Sequence, residues 1–225
     1  MQILFEDYYL LVIDKPAGLS SESGKERHPS AEREALFYFT AQLQERSSSK
    51  RLKVTPYLRV AHRLDRAASG ILVMAKTKAA LVGLMEQFEK GSVEKTYWAV
   101  TETCPPKEAD TLTHWLTKDP QGRKAVVSEK ESRGSQQCRL DYKVLEKRGK
   151  SCLLEIKPHT GRFHQIRAQL AFIGHPIKGD VLYGGSPWRE HQIMLHARHL
   201  QCKHPKTGAA IEVDCPPGEA WRATF

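Results

Sequence analysis

Apolar residues open this chain as two short runs, Ile3 to Phe5 and Tyr8 to Ile13, split by the acidic pair Glu6 and Asp7. Two such runs around a polar break predict a hairpin-like pair of strands over residues 2–13. Asp14-Lys15-Pro16-Ala17-Gly18 then ends the pattern, because proline withholds a backbone donor and glycine accepts turn geometry. Residues 20–53 read as a surface excursion carrying one helix around Ala31 to Arg46, with Leu36, Phe39 and Leu43 at helical spacing. Ser47-Ser48-Ser49-Lys50-Arg51 after it reads as a mobile loop.

Beyond Val60 the pattern sharpens. Ile71-Leu72-Val73-Met74-Ala75 is a continuous apolar run, as in a strand buried on both faces. Thr77 is placed to cap a helix whose apolar stripe is Leu81, Leu84, Met85 and Phe88, with Gly91 just past its end. Residues 93–101 alternate, which puts Val93, Lys95, Tyr97 and Ala99 on one side of a strand. Leu140 to Leu145 and Cys152 to Ile156 are further strands around a turn at residues 147–150. Thr160-Gly161 precedes a helix with Ile166, Leu170 and Ile173 in one stripe, ended by Gly174, and short strands follow from Leu195. Strands outnumber helices and hairpins outnumber crossovers. That predicts a single α+β domain, residues 1–225, with a mixed, largely antiparallel sheet flanked by helices.

Composition changes this picture in two ways. Thirty-five Lys and Arg face 26 Asp and Glu, a net charge of +9 that attracts polyanions, nucleic acid foremost. The five cysteines, Cys104, Cys138, Cys152, Cys202 and Cys215, are odd in number and widely spaced, which argues against a disulfide framework and for a reducing cytoplasm. No secretory signal is visible in the first twenty residues, and the longest apolar run is too short to span a membrane.

Three segments carry candidate chemistry. Asp65 stands between Arg63 and Arg66 in a loop after His62, and flanking cations would hold its carboxylate ionised for nucleophilic or base chemistry. A loop aspartate engaged in a salt bridge is the bland alternative. Arg162 falls at the expected start of a helix, where the macrodipole is already positive, so it calls for an anion opposite. His164, Gln165 and Arg167 add donors to that helix. Tyr97, after Lys95, is either a core aromatic or a ring that stacks on an extruded base.

Together these segments resemble the RluA family of pseudouridine synthases. The resemblance rests on His62-Arg63-Leu64-Asp65 with Ser69-Gly70, on Lys95-Thr96-Tyr97-Trp98-Ala99, and on Thr160-Gly161-Arg162-Phe163-His164-Gln165-Ile166-Arg167. Residues 174–184, Leu195-His196-Ala197 with residues 204–208, and the Asp14 to Gly18 entrance match in the family's order. Ala68 departs from it, standing where the family usually has threonine. The resemblance implies a stand-alone catalytic domain without the S4-type module many relatives carry. It implies that Asp65 is the essential carboxylate, paired with Arg162, and that Tyr97 packs against the uracil and takes part at C5. Ile166 and Leu195 would line the pocket, while His62, Arg63, Arg66, Lys95, His164, Gln165, Arg167 and Lys178 would hold RNA. It implies no cofactor and no metal, since isomerisation of uridine needs neither a redox change nor a transferred group. The expected partner is ribosomal or transfer RNA, met in the cytoplasm by a monomer. A non-catalytic RNA-binding protein on the same fold is the alternative. A zinc site built on His191, His196 and His199, and a hydrolase pairing Asp65 with Asp180, are weaker rivals.

Overall fold

A computed structural model describes residues 1–24, 29–46 and 56–225. The elements run β1 (Gln2–Glu6), β2 (Leu10–Lys15), α1 (Ala31–Arg46), β3 (Arg59–Val60), β4 (Ser69–Ala75), α2 (Lys78–Glu89), β5 (Glu94–Thr101) and β6 (Ala109–Lys118). They continue with β7 (Ala125–Ser128), β8 (Gln136–Arg148), β9 (Ser151–Pro158), α3 (Gln165–Phe172), β10 (Leu195–Lys203), β11 (Ala210–Asp214) and α4 (Glu219–Thr224). A single 3-10 turn covers Val181–Tyr183. The chain divides into two compact units, one of residues 1–93 and 199–215, the other of residues 94–198 and 216–225.

In the first unit β1, β2 and β4 pair antiparallel in that order, β3 adds to β4, and β11 pairs antiparallel with the His199–Lys203 part of β10. The β1–β2 turn closes because the Asp7 carboxylate accepts the N–H groups of Tyr9 and Leu10 at 2.8 and 2.7 Å. The apolar runs of β2 and β4 are sealed on both faces, as their composition predicts. Thr77 caps α2 by accepting the Ala80 N–H at 3.1 Å, and Gly91 follows its end at φ +68°. The buried face of α2 is Ala80 and Leu84, whereas Met85 lies 53% exposed and falls outside the expected stripe. α1 stands where helical spacing placed it, but Ala31 and Ala35 make its buried contacts, and Leu36, Phe39 and Leu43 are half-buried. The Ser47-to-Arg51 loop lies outside the described residues.

The second unit is an antiparallel array in the order β5, β9, β8, β6, β7. β6 and β7 escape the sequence pattern because the inward face of β6 interrupts its leucines with a histidine, Leu112, His114 and Leu116. The α+β class and the largely antiparallel pairing are borne out.

Two expectations fail here. The first concerns cysteine: Cys104 and Cys152 form a disulfide across 48 residues of sequence, while Cys138, Cys202 and Cys215 are buried and lie outside that bridge. The register sets Thr101 of β5 opposite Cys152 of β9, so the chain leaving β5 carries Cys104 to its partner. Linear spacing contains no trace of that pairing. The second concerns α3, which begins at Gln165 rather than around Arg162. His164 sits at φ +52°, a left-handed conformation that cannot continue a right-handed helix. Arg162 therefore stands in a turn ahead of the helix, and the macrodipole argument for its partner lapses.

Candidate active site

Lys15 ends a strand buried on both faces and is itself without solvent exposure. Its ammonium donates to the carbonyls of Ala68, Pro16 and Leu19 at 2.6, 2.8 and 2.8 Å, and more weakly to Arg66 at 3.4 Å. Two of those carbonyls belong to the loop that carries Asp65. Ser21 adds a second clamp, its hydroxyl accepting the Leu64 N–H and donating to the Leu64 carbonyl, both at 2.9 Å. Gly18 N–H donates to the Arg66 carbonyl at 2.7 Å, and Arg66 Nε returns a bond to the Gly18 carbonyl at 2.9 Å. Asp65 thus rides half-exposed on a loop whose backbone is tied from both sides by residues 15–21. That anchoring corrects the view of residues 20–53 as wholly a surface excursion.

The charges around Asp65 also differ from those its neighbours suggest. Arg63 reaches out to Glu22 at 3.0 Å on the surface, and Arg66 is engaged by Gly18. Lys15 is the buried cation that feels Asp65. Burial pushes its pKa down to about 8, against the opposing pull of the Asp65 and Asp14 charges. His62 is tied into the fold. Its Nε2 accepts the Val73 N–H at 3.2 Å and its ring lies 4.8 Å from Phe88.

In the second unit the Thr160-to-Gln165 turn is built by the motif's own polar groups. Gln165, 3% exposed, accepts from the Thr160 hydroxyl at 2.7 Å and from the Arg162 N–H at 3.1 Å, and donates to the Arg139 carbonyl at 3.0 Å. Its amide is spent on the turn and not on RNA. Arg162 projects from that turn on the surface, its Nε 3.4 Å from the Gln137 carbonyl. Arg167 is a second correction. It is buried and clamps Asp180 through two bonds of 2.7 and 2.8 Å, so its guanidinium serves the fold rather than a phosphate. Asp180, in turn, is no partner for a hydrolytic carboxylate pair.

Tyr97 is half-buried in β5 opposite Ile156 of β9. Lys95, one alternation earlier, lies near Gly161, its Nζ about 4.0 Å from where a side chain there would begin, and burial lowers its pKa. Ile166 and Leu195 are 8% and 4% exposed. Of the histidines nominated for a metal, His191 faces Glu190 and His196 packs edge-on to Trp221. His199 has Glu212 and Asp214 near it on β10 and β11, both exposed.

Against known proteins, the model of the RNA pseudouridylate synthase family matches residues 9–172. The chain belongs to that family. An uncharacterised RNA pseudouridine synthase of Bacillus subtilis is 33% identical over 218 residues, covering 96% of this chain and 68% of that protein. Ribosomal large subunit pseudouridine synthase D of Zymomonas mobilis is 30% identical over 225 residues, with 95% and 68% covered. The structure of human RNA pseudouridylate synthase domain containing 4 superposes with a TM-score of 0.76 at 27% identity, covering 96% of this chain and 88% of that one. The RluA resemblance read from the ordered motifs is borne out, and with it an isomerase acting on uridine in RNA.

Within this pseudouridine synthase, Lys15 and Ser21 are the residues that motif reading left without a role. A lysine closing a strand that opens with four buried aliphatics was the available signal, since such a group persists only when its charge is satisfied. Lys15→Met should leave several buried carbonyls without donors and lower stability by about 3 kcal/mol, read from urea unfolding. The pH dependence has a defined sign. Burial lowers the Lys15 pKa from 10.5 to about 8, so between those values the unfolded chain holds a proton that the folded chain has lost. Stability from this group therefore rises with pH across that window and is flat below it. Lys15→Met should remove that rise, on the order of 3 kcal/mol by pH 10.5, in unfolding curves compared from pH 7.5 upward.

Proposed function

We propose that this pseudouridine synthase acts on ribosomal RNA, with Asp65 as its essential carboxylate. The observation that carries the assignment is the way Lys15 and Ser21 fasten the backbone of the loop on both sides of Asp65, itself a half-buried residue. A carboxylate carried on a fixed loop is what positioning at a reacting sugar or base requires. The reaction breaks the N1–C1′ bond, turns the uracil and rejoins it through C5. C5 gives up a proton and N1 gains one, so the isomerisation balances without any second reactant.

Tyr97 packs against the uracil and receives the C5 proton, and Arg162 supplies positive charge where the base departs. The role of Tyr97 comes with the family motifs. The uridine must leave its stack to react, at a cost of about a few kcal/mol, which favours loops and bulges as targets. The net charge of +9 supports an RNA substrate, and the Zymomonas relative's designation supports the ribosomal large subunit as its source. Such a substrate supports a cytoplasmic location.

The test is direct. Purified protein is incubated with unmodified ribosomal RNA and unmodified transfer RNA transcripts, and pseudouridine is mapped in each. Modification of one or a few uridines in the ribosomal transcript is expected. Modification confined to transfer RNA would move the substrate while keeping the chemistry. RNA binding with no product in either would favour the non-catalytic alternative.

A further inference from the structure

We propose that Phe163, backed by His164, is a stacking platform for an unpaired nucleobase of the RNA, next in the chain to Arg162. The inference rests on the RNA-isomerase reading above and adds a contact surface to it.

The platform is built rather than incidental. Phe163 is 38% exposed and follows Arg162 in the turn ahead of α3. Its ring lies on the His164 imidazole, with centroids 3.8 Å apart and planes 20° from parallel. His164 reaches that position by adopting φ +52°, a conformation that costs a non-glycine residue roughly 1 kcal/mol or more.

Beneath it the support continues. The Tyr183 hydroxyl accepts the Ala125 N–H at 2.6 Å and shares a second hydrogen bond with His164 Nδ1 at 3.1 Å. The Tyr183 ring carries the Arg167 guanidinium 5.1 Å from its centroid, and Arg167 is fixed by Asp180. Phe163 is therefore an aromatic face held in place by a chain of packed and hydrogen-bonded groups that reaches the buried ion pair. Rigid backing is what a stacking surface needs, because a base gains little from a ring it must first immobilise.

The charge around the ring selects the occupant. Lys118 Nζ lies 5.2 Å from the Phe163 centroid, on a side chain exposed enough to be displaced by an arriving base. Arg123, Lys124, Arg139 and Arg162 are exposed in the same unit. An aromatic surface with a lysine over it, in a unit that exposes further cations, fits a nucleobase with its phosphates, and it fits an apolar protein face poorly. Stacking tolerates any base, so the platform contributes affinity and register and leaves the choice of uridine to other contacts.

The experiment compares wild type with Phe163→Ala, Phe163→Leu and Phe163→Tyr in the full chain. It reads RNA affinity by fluorescence anisotropy on a ribosomal loop the enzyme modifies, KM and kcat on the same RNA, and each variant's melting temperature. Stacking predicts that Ala and Leu weaken affinity and raise KM about 5- to 150-fold. It also predicts kcat within about threefold of wild type, and Tyr indistinguishable from Phe. The leucine variant keeps the apolar volume, so it answers even if alanine unsettles the turn. Affinity unchanged in Phe163→Ala, or wild-type affinity in Phe163→Leu, overturns the platform. Wild-type protein that fails to bind RNA at all overturns it together with the proposed function. Active wild type with insensitive variants removes the platform alone.

Discussion

Asp65→Asn is expected to lower pseudouridine formation by more than about 10³-fold, a loss of the size seen when one essential acid–base or nucleophilic group is removed. The substitution keeps the shape of the side chain and leaves the loop's anchors in place, because Lys15 and Ser21 bind backbone groups. The Asp65 carbonyl also goes on accepting the Ala68 N–H at 3.1 Å. RNA affinity should therefore stay within about tenfold of wild type, since phosphate contacts supply most of it. Melting temperature should not move by more than a few degrees. Single-turnover pseudouridine release, anisotropy and thermal unfolding on one preparation check all three. Activity above a tenth of wild type in correctly folded Asp65→Asn would remove Asp65 from the chemistry.

The second large effect is structural. Asp180→Ala should destabilise the protein by about 3–5 kcal/mol, because it strands the Arg167 charge in the interior. Arg167 and Asp180 are 6% and 1% exposed and joined by two short bonds, so no solvent compensates the loss of either partner. For a chain of this size that corresponds to a fall in melting temperature of roughly 10 °C or more. Replacing both partners with apolar residues of similar volume should restore much of the stability, since neither charge then remains buried. The turn bearing Asp180 has little freedom to adjust. A side-chain carbon added at Gly185 would fall 2.1 Å from the Ile177 carbonyl oxygen. If Asp180→Ala melts within 2 °C of wild type, the pair contributes little to the fold and Arg167 returns to the candidates for RNA contact.

Much of the architecture was legible because it is local. The hairpin of β1 and β2, the sealed strand β4 and the Thr77 cap of α2 each follow from a short window of alternation, continuous apolarity or capping chemistry. The proposed reactive residues Asp65, Tyr97 and Arg162 stand out in another way, through motifs whose order along the chain matches the family. What misled was inference about a polar residue's partner from its neighbours in sequence. Arg63 and Arg66 flank Asp65, yet they turn to Glu22 and Gly18. Arg167 and Gln165 look like donors for RNA, yet one is consumed by Asp180 and the other by its own turn.

The difference has a physical origin. Sequence alone determined the α+β class, the positions of most helices and strands and the family, because periodicity, capping and motif spacing act within about one turn or one strand. Tertiary structure decided which charges are spent on the fold and which remain for substrate. Lys15 became the brace of the Asp65 loop when β2 was buried on both faces, and Cys104 met Cys152 through the register of β5 on β9. Phe163 and His164 became a presented aromatic face through a left-handed residue and a tyrosine 19 positions from that histidine. Burial and long-range register set the cost of leaving a polar group unpaired, and both exist once distant segments have packed together.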